Sequence, residues 1–596
     1  MAVPTYSNLV DLYATSVERF ADNPLLGARD DASETWNWLT FREFGALIDQ
    51  CRAGLSGLGV TKGDRVAAIS DNRAEWAIGA YATYGLAAAW VPMYEAQLPK
   101  DWKYILNDSG AKVLIAANEG IAAKVAEFKD EISTLETIVT IDVQGGGDFM
   151  TWDDLLATGS KDPVDTVSPE EKDTAGLIYT SGTTGNPKGV ILSHGNLSSN
   201  VNGVNVVFPL ETDDRSASFL PWAHSFGQTI ELHTLVAMGA STGLTSAKTL
   251  MRDLPEIRPT ILVAVPTVFN KVYDGLLKRM AATGGIQKSI FDSALANSRK
   301  REQMAKQGQT TRWVEIKHSL YDRLVFQKVR DGFGGRLKYA FSGGAAISDE
   351  VAEFISALGI TVYEGYGLTE TSPVVTANTR EARRLGTVGK PIPEVSVTID
   401  GDATDEEGLG EIVVHGPNVM QGYYNLAEEN AKVFTDDGGF RTGDLGSVDS
   451  DGYLMIRGRI KEQYKLENGK YVVPSPIEEQ LTLSGYIASA MVYGEQRPYN
   501  VAVLVPDVEA LNGWAAEQGF DTSDTKVLLG RDEVHAMYES EVEKYSGPVK
   551  RYERVKGFVL EPEEWTPENG FLTPSLKVKR RAVMQAYGDD IAALYQ

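Results

Sequence analysis

The chain has 596 residues, 43% of them hydrophobic and 23% charged, and a formal net charge of −25. That length predicts at least two domains with one large core, and the acidic balance excludes nucleic acid as a general partner. A single cysteine, Cys51, excludes a disulfide framework and any cysteine-rich metal site.

In chain order, the start Met-Ala-Val-Pro-Thr has no basic or apolar leader pattern, so a cytoplasmic location is expected. Asn8 is placed to cap an amphipathic helix running through Phe20, and Phe41 to Leu58 predicts another, with Cys51 as a buried structural thiol. Arg65 to Ser70 and Lys112 to Ala117 are short apolar runs typical of parallel strands. Ala77 to Met93 is the most apolar stretch, but Gly79, Thr83, Gly85 and Pro92 interrupt it. It predicts a buried helix followed by a strand rather than a membrane span.

Further strands are expected at Ser216 to Leu220, Thr260 to Val265 and Leu337 to Ser342, with helical patterns between them. The predicted fold class is therefore α/β: a large N-terminal domain of layered sheets, with ligand loops at the carboxyl ends of strands. From Val395 to His415 the period shifts towards two, predicting a small β-rich subdomain. A boundary at Gly458 divides residues 1–457 from a C-terminal domain of residues 458–596, expected to be α+β and mobile.

Between Lys271 and Ala340 stand fifteen Lys/Arg against six Asp/Glu, a local +9 inside an acidic chain. Leu, Ile, Phe and Trp recur there at spacings of three and four, so the segment about 271–338 reads as a basic helical insertion. It fits a solvated helical face, a patch for anionic membrane, or a surface that steers anionic CoA.

The most informative string is Tyr179-Thr-Ser-Gly-Thr-Thr-Gly-Asn-Pro-Lys-Gly189. A strand ends at Tyr179, every residue from Thr180 to Gly185 is a hydroxyl or a glycine, and a lone lysine, Lys188, follows. Glycines let backbone N–H groups close around phosphate oxygens, hydroxyls donate further bonds, and the ammonium neutralises charge. Pro187 and Gly189 flank the lysine, so the loop is not a Walker A motif.

This string resembles the phosphate loop of the adenylate-forming superfamily, which includes acyl-CoA synthetases, non-ribosomal adenylation domains and luciferases. Further segments resemble the same family in the same order. They are Tyr366-Gly-Leu-Thr-Glu-Thr-Ser-Pro373, Arg441-Thr-Gly-Asp-Leu-Gly446, Gly458-Arg-Ile-Lys461 and Leu572-Thr-Pro-Ser-Leu-Lys577. The helical insertion, the turn Tyr464 to Tyr471 and the Thr-Pro-Ser-Leu-Lys ending are most similar to the long-chain fatty acyl-CoA synthetases.

The resemblance implies ATP-dependent activation of a long-chain fatty acid to its acyl-CoA through an acyl-adenylate, with Mg²⁺ as cofactor and ATP and CoA as cosubstrates. It places Thr180, Ser181, Gly182, Thr183, Thr184, Gly185 and Lys188 around the phosphates. Glu370 is the expected Mg²⁺ carboxylate, because Mg²⁺ takes one or two hard protein oxygens beside phosphate and water, and the family adds the Thr180 hydroxyl. Gly343 and Gly344 leave room for a flat adenine, with Tyr366 available to stack on it. Glu364, Gly365, Gly367 and Thr369 belong to the same nucleotide motif by resemblance.

Asp444 is expected at the ribose hydroxyls with Arg459 assisting, although Thr-Gly-Asp is equally a turn sequence. Gly458 is the expected hinge. Lys577 is expected to bridge carboxylate and α-phosphate, with Lys579 as its competitor in the same basic cluster. Lys461 and Lys465 are expected near ATP or CoA phosphates, or as plain surface charge. Pro221-Trp-Ala-His-Ser-Phe226 resembles the motif that lines the acyl pocket, so Trp222 and His224 are expected there, His224 as a gate or positioning group. No general base for the CoA thiol is assigned. The rival readings are an adenylating enzyme that loads a carrier protein or uses aryl or branched acids, and a non-catalytic adenylate-binding protein recruited to membranes. No appended carrier domain is expected.

Overall fold

The computed structural model describes residues 4–143, 149–180, 186–309, 311–343, 347, 349–401, 408–547, 549–573 and 577–596, and the statements below concern these. The chain divides into two compact units. The first comprises Met1–Pro266, Lys278–Thr398 and Val413–Thr442; the second comprises Thr267–Leu277, Ile399–Ile412 and Gly443–Gln596.

The first unit is built on an eight-stranded sheet. Its spatial order is Gly422–Tyr423, Lys188–Ser193, Thr174–Thr180, Ala89–Met93, Arg65–Ile69, Val113–Asn118, Thr137–Asp142 and Met150–Thr151. The strands from Thr174–Thr180 to Met150–Thr151 pair in parallel, and the two at the other edge pair antiparallel. Successive side chains on a strand face opposite ways. Val66 and Ala68 therefore enter one core with Trp76, Tyr81 and Trp90, while Ala67 and Ile69 enter another with Trp102, Ile105 and Leu114. Both faces are covered, which is why these strands read as unbroken apolar runs.

Two more sheets complete this unit. One orders Ile261–Ala264, Tyr339–Ser342, Thr361–Gly367, Val374–Ala377 and Lys390–Pro391; the other orders Arg215–Ser218, Ser241–Leu244, Pro24–Asp30 and Thr35–Thr40. The strand expected to run to Leu220 stops at Ser218. Leu220 gives its carbonyl to the Asn72 amide at 2.7 Å instead of to a neighbouring strand, and Pro221 has no N–H for a ladder. The helix of Leu9–Arg19 is capped by the Asn8 side chain, which accepts from Asp11 N–H. Cys51 is wholly buried in the helix Phe41–Gly57, and burial pushes its thiol up.

The second unit carries a three-stranded sheet ordered Ile487–Tyr493, Asn500–Pro506 and Val555–Leu560. Alternation again supplies two cores. Ala502 and Leu504 pack with Ile477, Leu481 and Tyr538, whereas Val501, Val503 and Val505 pack with Trp565, Val583 and Ile591. Ser396–Asp400 and Gly410–His415 are strands, in line with the period-two pattern there. Among the described residues, no helix is long and apolar enough to cross a membrane.

Candidate active site

Thr180 and Lys188 sit opposite each other on antiparallel strands, so the ladder fixes both ends of the glycine- and hydroxyl-rich loop. Ser181, Gly182, Thr183, Thr184 and Gly185 lie outside the described residues. Lys188 Nζ lies 2.6 Å from Glu429 Oε2 and 5.0 Å from the centre of the Tyr423 ring. Glu429 also holds Lys432 Nζ at 2.6 Å, one turn along the helix Ala427–Val433. Hydrogen bonds from Lys188 and then Lys432 bring the Glu429 carboxyl down to about 2. The Tyr423 hydroxyl in turn donates to Glu370 Oε1 at 2.9 Å. The stretch from Tyr423 to Glu429 thus touches both Lys188, the expected phosphate lysine, and Glu370, the expected metal carboxylate.

Local chemistry explains why these groups stay in place. Asn430 accepts from the Tyr423 N–H at 2.7 Å and donates to its carbonyl at 3.0 Å, which pins the backbone beneath the ring. Glu370 lies in the short turn Thr369–Thr371, whose Thr371 hydroxyl donates to Pro373 O at 2.6 Å. Asn418 donates to the carbonyls of Thr371 and Val374 at 3.0 and 3.1 Å, and Asn200 to Val374 O at 2.7 Å. The Met420 N–H reaches Glu370 O at 2.9 Å. Ser225 and Thr369 share a hydrogen bond of 3.1 Å.

The other nucleotide-motif residues occupy the strand Thr361–Gly367. Gly365 faces Ala377, Tyr366 faces Thr376 and Gly367 faces Val374. Glu364 is buried, and its carbonyl accepts from Asn378 N–H at 2.8 Å. At Gly343 a Cβ would lie 2.8 Å from the Phe226 ring, so the Phe226 ring fills the space that a side chain at Gly343 would take. Gly344 lies outside the described residues.

Trp222 is wholly buried, edge-on to Trp76 at 5.6 Å, and its backbone N–H donates to Asn72 Oδ1 at 2.7 Å. His224 is half-buried and accepts from the Phe226 N–H through Nδ1 at 3.2 Å. The residues that follow, Gly227–His233, form a π-helical turn, a distortion that commonly serves a site. It carries Glu231 into the interior, where Ser216 and Ser218 donate to its carboxyl oxygens at 2.7 and 2.6 Å. Burial pushes Glu231 up to about 8, against the lowering effect of the two hydroxyls.

In the second unit Asp444 and Arg459 sit opposite each other on paired strands, with Arg459 Nε 3.0 Å from Asp444 Oδ1. Asp444 is buried, so the guanidinium satisfies a carboxylate largely withdrawn from water. Gly458 has φ +143°, and a Cβ there would overlap Val473 Cγ1. Lys461 and Lys465 are exposed, and Lys465 Nζ lies 4.4 Å from the Tyr471 ring centre.

Lys577 is exposed at the start of the basic cluster, and its N–H donates to Thr573 Oγ1 at 3.0 Å. Pro574, Ser575 and Leu576, which complete its turn, lie outside the described residues. Arg580 of the same cluster is structural: it grips both Glu478 oxygens at 2.5 Å and the Val492 carbonyl at 3.1 Å.

A family model described as AMP-binding enzyme matches residues 13–424, and one described as AMP-binding enzyme C-terminal domain matches residues 461–596. The chain belongs to the AMP-binding enzyme family. A long-chain-fatty-acid–CoA ligase of Mycobacterium tuberculosis is 35% identical over 571 residues, covering 94% of this chain and 92% of that one. Long-chain-fatty-acid–CoA ligase 1 of Homo sapiens is 30% identical over 629 residues, covering 99% and 87%. Among solved structures, the anthranilate CoA ligase AuaEII with anthranoyl-AMP aligns with TM-score 0.72 at 21% identity, covering 98% of each chain. The adenylation domain of a carboxylic acid reductase from Segniliparus rugosus aligns with TM-score 0.76 at 22% identity, covering 99% and 94%. These structures share the fold of a large N-terminal and a smaller C-terminal domain.

Three residues of this AMP-binding enzyme that sequence reasoning passed over are Tyr423, Glu429 and Glu231. Tyr423 and Glu429 stand outside every motif string and far from the residues they touch, 53 residues from Glu370 and 241 from Lys188 respectively. The pairing of Gly422–Tyr423 with Lys188–Ser193, and the bond from Met420 N–H to Glu370 O, bring them near. A carboxylate within the apolar run around Ile230 and Leu232 was the available signal for Glu231.

Proposed function

We propose that this enzyme activates a long-chain fatty acid to its acyl-CoA in two steps. A carboxylate oxygen attacks the α-phosphorus of ATP and pyrophosphate leaves, giving the acyl-adenylate. The thiol sulfur of CoA then attacks the acyl carbon, loses its proton, and AMP leaves. The observation that supports this reading most is the Tyr423–Glu429 stretch, which links a lone lysine suited to phosphate with a carboxylate suited to a hard cation. Similarity to named long-chain ligases along almost the whole chain supports the substrate class.

Lys188 would take the β- and γ-phosphates, exchanging one anion, Glu429, for another. Glu370 fits a Mg²⁺ role: its Oε1 accepts a neutral phenol and no ammonium is paired with it among the described residues. With Thr180 it would hold the cation, which supplies charge neutralisation on the triphosphate. Asp444 would accept from the ribose hydroxyls beside Arg459. Lys577 would carry its positive charge to the carboxylate and α-phosphate during adenylation, and Gly458 would act as pivot for the second step. Peripheral contact with anionic membrane through the basic helical segment belongs to this reading.

The test is pyrophosphate release with a panel of free acids of increasing chain length, with and without CoA. Release that rises with chain length, with matching acyl-CoA, is expected. Release without thioester in the presence of CoA would favour carrier loading, and no release with any acid would refute the reading.

A further inference from the structure

The basic segment contains a feature that its charge alone does not reveal. In the helix Arg312–Tyr321 and the π-turn Asp322–Phe326 after it, four large apolar side chains face solvent. Trp313 is 71% exposed, and Ile316, Leu320 and Leu324 are 51%, 55% and 48% exposed. Their spacings are three, four and four. At 100° per residue the first three fall within an arc of about 60°, and Leu324 extends the row by one turn. A row of this kind is normally turned into a core, yet here the opposite face is the anchored one. Val314 and Phe326 are buried, and Asn297 donates to Val314 O at 3.3 Å.

Charge is sorted across the same two faces. The acidic residues are held on the inner side, Glu315 by Arg301 at 2.9 Å and Asp322 by both nitrogens of Arg330 at 2.7 and 2.9 Å. Arg312, Lys317, Arg323 and Lys328 are exposed and flank the apolar row on its two sides. None of the four is in an ion pair among the described residues. An apolar stripe with Trp, bordered by cations, suits the boundary between headgroups and acyl chains of an anionic bilayer. A second copy of this strongly acidic chain would match the cations, but a bilayer interface matches the cations and the apolar row together.

We propose that this helix docks the enzyme on anionic lipid bilayers, with Trp313, Ile316, Leu320 and Leu324 entering the interface and the four cations resting on headgroups. The docking extends the fatty-acid reading, since long-chain acids partition into bilayers, but it does not require turnover. Vesicle flotation of the full chain without substrates therefore tests it separately from the activity.

Phosphatidylcholine vesicles with and without phosphatidylglycerol are the probes. Binding is expected only with the anionic lipid, weakening as salt rises. Trp313→Ser with Leu320→Ser removes two exposed side chains, each worth about tenfold or more in partitioning when buried, so binding should fall at least about a hundredfold. Lys317→Glu with Arg323→Glu and Lys328→Glu should also abolish it, each basic residue being worth about fivefold near an anionic surface. Neither set should change thermal stability or turnover of a water-soluble medium-chain acid. Wild-type protein that fails to float with anionic vesicles at low salt, or variants that float as well as wild type, would overturn the proposal. Self-association lost in the serine pair, without vesicle binding, would overturn it too and give the stripe to a second copy.

Discussion

Replacing Glu231 by Gln should alter how the stability of this enzyme depends on pH. Glu231 is wholly buried in the π-helical turn, and its carboxyl keeps its proton up to about pH 8, whereas the unfolded chain releases it near the ordinary value of 4.5. Between those values the folded state holds one more proton. Stability therefore falls as pH rises, by about 1.4 kcal/mol per pH unit, which is on the order of 3–5 kcal/mol across the window. The stabilisation is complete below the unfolded value and is lost as the pH passes through the folded one. Gln reproduces the protonated acid: one oxygen still accepts from a serine hydroxyl, and the amide donates in place of the acid proton. Wild type and Glu231→Gln should thus be similar near pH 5 and diverge towards pH 8, with the variant the more stable. Thermal unfolding of both proteins from pH 5 to 8.5 reads the divergence directly. Parallel curves, or a variant less stable at pH 8, would refute the assignment of a buried neutral carboxyl.

Three further outcomes are expected. Glu370→Gln should slow adenylation about a hundredfold at saturating Mg²⁺, the scale of losing a charged group that acts in the transition state; a rate within threefold of wild type would remove Glu370 from the site. Gly458→Ala should destabilise the second unit by about 2–5 kcal/mol, because it combines φ +143° with overlap on Val473 Cγ1. Urea unfolding checks this, and adding Val473→Ala should recover part of the loss. Lys577→Ala should nearly abolish pyrophosphate release yet spare acyl-CoA formation from supplied acyl-adenylate, and equal damage to both steps would move the role to Lys579.

The sequence alone determined the features that depend on near neighbours along the chain. Asn8 announces its helix because a cap needs only an oxygen three residues before an N–H. The apolar runs at Arg65–Ile69 and Val113–Asn118 announce parallel strands because burial on both faces leaves no polar alternation. The motif strings likewise carry the family, since phosphate and metal chemistry restrict residue type locally.

Tertiary structure decided what depends on which face meets what. Trp313, Ile316 and Leu320 have the spacing of a core-facing helix, and nothing in that spacing says that the face is left open to solvent. Gly458 suits a pivot by its lack of a side chain, but the close approach of Val473 appears only in the fold. Room left by Gly343 is filled by Phe226, more than a hundred residues earlier in the chain. The partners of Lys188 and Glu370 come from a strand and helix far along the chain, because hydrogen-bonded sheet pairing disregards sequence distance. A sequence lists the groups able to do chemistry; strand order sets which of them share a charge.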